Sequence, residues 1–208
     1  MPHRIDNAAK EIALRRWALP ECLHVPIAAV DEASIRAYVG DVERVLTGGG
    51  PPMALLITIA EPPAIDPHLP ISDHANAGVL HARRQVWVHV AFGRYRDAYR
   101  KAFPNEAIGG KVLSHAMNRR TAALKGFSYV RITPVSRGAN SSSGFSEKWG
   151  VSLHASAERN ATRVVRPPFI QYADLSDLML MLDVKLGGGV MAIVNEGQKL
   201  VRPRTRAP

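Results

Sequence analysis

Three things are scarce in this 208-residue chain: cysteine, acidic side chains and long apolar runs. Its one cysteine, Cys22, has no partner with which to form an internal disulfide, and it leaves no cysteine-based zinc site to build. No uninterrupted apolar stretch approaches the roughly 20 residues that span a bilayer. The opening stretch MPHRIDNAAKEIALRRW mixes charges into its apolar residues and lacks the apolar block of a secretory signal. The expectation is an intracellular, cytoplasmic protein with no membrane partner. Only 18 Asp and Glu stand against 27 Lys and Arg, giving a formal charge of +9, and a surplus of that sign concentrates polyanions around a protein. DNA or RNA is therefore the expected partner class, with an acidic protein as the other candidate.

Hydrophobic residues make up 46% of the chain, enough to bury a real core, so a folded protein is expected. Helical spacing predicts helices over 4–17, 31–46 (capped by Asp31 and stopped by GGGPP), 94–103 and from Asp174 to about Leu186. MALLITIA (53–60), the alternating RRQVWVHVAF (83–92) and YVRITPV (129–135) predict strands. These elements do not alternate in a crossover pattern, which predicts an α+β fold with several helices packed on a small mixed or antiparallel sheet. EPPAIDPHLP breaks regular structure and divides a part at 1–60 from a main α+β domain at 61–198, unless the two are continuous. The basic end, 199–208, reads as a disordered tail. No internal repeat is present.

The segment KVLSHAMNRRTAALKGFSYVRITPVSRGANSSSGFSEKWGV (111–151) concentrates basic, amide and imidazole side chains. Read as a helix over 110–125, it buries Leu113, Ala116, Met117 and Leu124. Lys111, His115, Asn118, Arg119 and Lys125 then lie on a basic outer face suited to a sugar-phosphate backbone. Read the other way, GKVLSH is a short strand ending at His115, YVRITPV is its partner and a helix follows the polar SRGAN loop.

In that second form, residues 111–154 resemble the HNH, or ββα-metal, endonucleases. The resemblance implies His115 as the base that activates water, Asn140 as the orienting amide, and His154, or alternatively Glu147, as a ligand of a divalent cation, magnesium or manganese. Ser114 stands where many members of that family place a metal-binding Asp. Phosphodiester hydrolysis needs a base and a cation that stabilises the pentavalent phosphate, and those residue types supply them. Arg119, Arg120, Arg131 and Arg137, with Lys111 and Lys125, form the expected phosphate-binding set, and Trp149 the exposed base-stacking candidate.

Simpler roles stand beside these. Each histidine also reads as an ordinary surface residue, Asn140 as an ordinary turn former, and most aromatics as core residues. Asp73, His74 and His81 form a second polar cluster, readable as a metal site or as a structured loop. The two functional expectations are a nucleic-acid-binding protein, extending to a divergent metal-dependent nuclease, and a non-enzymatic structural or interaction protein of a mobile element or phage.

Overall fold

In the computed structural model the described residues are 19–141, 168–185 and 189–204. The fold is α+β: a curled, wholly antiparallel sheet of seven strands with helices on both faces. The strands are β1 (Pro26–Ala29), β2 (Asp41–Val45), β3 (Ala54–Thr58), β4 (Arg84–His89), β5 (Val112–His115), β6 (Tyr129–Val135) and β7 (Ile170–Tyr172). Their order is β2-β3-β4-β6-β1-β7, and β5 also pairs with β6. The long strand β6 gives Tyr129 and Val130 to β1 and the 132–135 half to β5, so β1 and β5 lie end to end along one edge of it. Strands from either side of residue 60 thus share one continuous hydrogen-bonded sheet. Among the described residues, no helix is long and apolar enough to cross a membrane.

The period-two alternation in β4 sorts its side chains between two layers. Val86 and Val88 face a layer made with α2 (Tyr95–Ala102) and α3 (Arg119–Leu124). Trp87 faces the opposite layer, with Ile35 and Val39 of the α1 region (α1 being Glu32–Tyr38), and its indole N–H donates to the buried Gln85 at 3.1 Å. A third cluster holds α4 (Leu175–Met181), α5 (Gly189–Val201) and Leu69, Ile71 and Leu80 from the connection between β3 and β4.

Several predicted boundaries move, each for an identifiable reason. The helix beginning after Asp31 is capped as expected, with Ser34 N–H donating to the Asp31 carboxylate at 2.7 Å, but it stops at Tyr38. Gly40 then brings the chain against β3, where a Cβ would lie 2.5 Å from the Thr58 carbonyl oxygen, and residues 41–45 become edge strand β2. The apolar residues spaced helically over 31–46 are divided: Val39 packs in the α1 layer and Leu46 in the α2–α3 layer. α4 carries the capping box at Asp174 and Asp177 but ends at Met181, because Asp183 has a φ of 65° and directs its carboxylate to the Ser136 N–H at 2.5 Å. The described part of the 199–208 tail is not free: α5 runs through Val201, and Arg204 reaches back to the carboxylate of Asp73 and, through its N–H, to the His68 carbonyl. The helix expected over 4–17 lies outside the described residues.

Candidate nucleic-acid interface

The helix over 110–125 does not form. Residues 112–115 are strand β5, paired antiparallel with β6 so that His115 stands opposite Ile132 and Val112 opposite Val135. His115 therefore ends a strand whose partner is YVRITPV, the local geometry of the second reading. After a turn, the Asn118 carboxamide oxygen accepts from the N–H groups of Arg120 and Thr121 and starts α3, and Gly126, at φ 81°, follows its end. A helix through 110–125 would forfeit the cross-strand ladder that buries Leu113 and Ser114.

His115 does not stand in solvent. Its imidazole packs on Tyr95 from the first turn of α2, with ring centroids 4.4 Å apart and planes tilted by 57°. The Arg96 guanidinium carbon lies 4.7 Å from the centroid of that same tyrosine ring, a cation–π arrangement. Arg119 opens α3 and extends its guanidinium to within 3.5 Å of the Phe92 carbonyl. Burial first, then the positive fields of Arg119 and Arg96, lower the His115 pKa to about 4. The ring is neutral at pH 7, and its Nε2 is shielded from water with no hydrogen-bond partner among the described residues.

Tyr95 and Arg96 were not singled out from the sequence as site residues. The signal available was GRYR, cations alternating with an aromatic directly after β4, but the pairing with His115 spans twenty residues of sequence. Arg96, Arg119, Arg120 and Lys125 have no acidic partner among the described residues. By contrast, Arg94 and Arg100 both bond Asp97, whose carboxyl pKa they hold below the usual range. Between residues 94 and 125 the chain carries eight Lys and Arg against two acids, so this layer holds much of the net charge.

Other expected site residues lie elsewhere. Arg131 is a correction: it is 2% exposed, and its guanidinium donates to the Leu80 carbonyl at 2.8 Å and to the Val79 carbonyl. Burial lowers its pKa to about 9, leaving it charged at neutral pH. It ties the segment before β4 to the sheet and cannot reach a phosphate in solvent. Lys111 is half-buried and donates to the Asn76 side-chain oxygen at 3.3 Å. Arg137 and Asn140 are both exposed on a helical segment, residues 137–141, where a polar loop was expected. The Ser136 hydroxyl accepts the Ala139 N–H at 3.1 Å and caps that helix. His115 and Asn140 sit towards opposite ends of the β5–β6 ladder, whose three-residue span measures roughly 10 Å. Glu147, Trp149 and His154 lie outside the described residues.

The second cluster separates into structural roles. Asp73 binds Arg204, His74 accepts the Asn76 N–H at 3.2 Å, and buried His81 bonds the Cys22 carbonyl at 2.6 Å. Among the described residues, no group of three or more His, Cys, Asp or Glu side chains is gathered to hold a metal. Trp87, Tyr99, Phe127 and Tyr129 are buried core residues. No protein-family model, curated protein or solved structure matches this chain.

Proposed function

We propose that this protein binds nucleic acid through the sugar-phosphate backbone, on the basic surface where the start of α2 meets the start of α3. The observation that carries the reading is the pair Arg96 and Arg119, both without acidic partners among the described residues, Arg96 over the Tyr95 ring that packs on His115 and Arg119 at the Phe92 carbonyl with its charge felt by His115. Arg120 extends the same charge along α3. Cations that lack acidic partners attract phosphate by displacing condensed counterions. Phosphate contacts carry no sequence information, so the expected binding is insensitive to sequence.

The test is affinity for DNA and RNA oligonucleotides as a function of salt. If two to four phosphates are neutralised, log K falls against log salt with a slope of roughly −2 to −4. Arg96→Ala and Arg119→Ala each reduce that slope by about 1. Absent binding at about 50 mM salt, or binding indifferent to salt, overturns the reading in favour of a protein-interaction role.

A nuclease reading has one specific support, the place of His115 at the end of strand β5 against its partner β6. It would require metal ligands from the 142–167 region and a movement that opens His115 Nε2 to water. Magnesium- or manganese-dependent cleavage that is lost in His115→Ala is its test, and undiminished cleavage by that variant removes His115 as the base.

A further inference from the structure

Next to the basic surface, the loop after β2 and the start of α2 enclose a cleft of about 240 Å³. Leu46, Met53 and Phe92 supply apolar walls, and Gly48, Lys101 and the Arg94–Asp97 ion pair stand around them. The cleft and the cationic strip adjoin through Phe92 and Arg94. Phe92 lines the cleft while its carbonyl receives Arg119, and Arg94 lines it while the next residue, Tyr95, carries the Arg96–His115 stack. An apolar cavity of about 150 Å³ admits benzene, so this one has room for a nucleobase ring.

We infer that this cleft receives one unstacked base of a single-stranded nucleic acid whose phosphates lie along Arg96 and Arg119. The inference rests on the nucleic-acid reading and adds a strand preference to it. The aromatic Phe92 in the cleft lining is a stacking partner for any base, and nearby cations suit the flanking phosphates, the combination by which single strands are held without sequence readout. A base within a duplex is paired and stacked between its neighbours, and reaching the cleft would require extruding it. The duplex is left with the phosphate contacts alone.

Fluorescence anisotropy with labelled oligothymidylate and oligoadenylate of about 20 nucleotides, and with the duplex they form, reads this directly. At equal salt, the single strands should bind at least about tenfold tighter than the duplex. Gly48→Phe crowds the cleft. A Cβ at Gly48 meets nothing within 4 Å and its φ is not positive, so the variant is expected to fold, which its circular dichroism checks. It should abolish the preference for single strands. Arg96→Ala should instead weaken both forms together. Equal wild-type affinities for the two forms, or a single-strand preference undiminished in a folded Gly48→Phe, overturns the cleft assignment while leaving backbone binding standing. If the wild type binds neither form, the nucleic-acid reading falls and the cleft assignment falls with it.

Discussion

Acidification should destabilise this protein through His115 in a way that one substitution isolates. The imidazole is pressed onto Tyr95 with its Nε2 unpaired among the described residues, and burial first, then the positive charges of Arg119 and Arg96, lower its pKa from 6.5 to about 4. Between those two values the unfolded ring takes up a proton that the native ring refuses. Unfolding therefore becomes more favourable as pH falls through that window, and the ring contributes almost nothing above pH 7. At pH 5 the unfolded imidazole is mostly charged and the native one mostly neutral, a difference of about 2 kcal/mol. For a domain of this size that corresponds to roughly 4–8 °C in Tm. Urea unfolding at pH 8, 6 and 5 on the wild type and His115→Leu is the assay. Every other titrating group is common to both proteins, so the acid-induced loss should be about 2 kcal/mol smaller in the variant. Equal losses in the two, within about 0.5 kcal/mol, would refute the burial and field argument for this ring. A bound oligonucleotide places phosphate beside Arg96 and Arg119 and should raise the native pKa, reducing the wild type's acid sensitivity.

Three further substitutions probe the frame that holds the site. Arg131→Met leaves the carbonyls of Val79 and Leu80 without their buried donor and should cost roughly 2–4 kcal/mol by chemical denaturation. A neutral stability change would show that those bonds are not holding the segment before β4. Gly40→Ala puts a methyl 2.5 Å from the Thr58 carbonyl oxygen, and the resulting shift of β2 against β3 should cost about 1–3 kcal/mol, measured the same way. Asp174→Ala removes the cap that accepts the N–H groups of Ser176 and Asp177, for an expected loss of about 1–2 kcal/mol in thermal or urea unfolding.

Local chemistry wrote much of the framework into the sequence. The alternation in RRQVWVHV suits a strand wherever its two faces become buried, and Asp31 and Asp174 cap helices because their carboxylates reach the first free N–H groups unaided. Strand β2 was not legible, since an edge strand with one open side tolerates Asp, Glu and Arg, and DVERV prolongs the spacing of the preceding helix. Its extended form comes from pairing with β3 across the glycine turn.

The same limit governs the candidate site. That residues 111–125 are basic and contain His115 follows from the sequence alone, as do the two local forms that stretch can take. Which form prevails was decided by β6, because only a strand at 112–115 pairs its backbone with the 132–135 half of that neighbour. Tertiary packing also sorted the cations: Arg131 went onto two buried carbonyls, Arg96 onto the Tyr95 ring and Arg119 to the Phe92 carbonyl. A guanidinium carries the same charge in every setting. Its neighbours across the fold decide whether that charge secures a loop or waits for a phosphate, and those neighbours are far away in the chain.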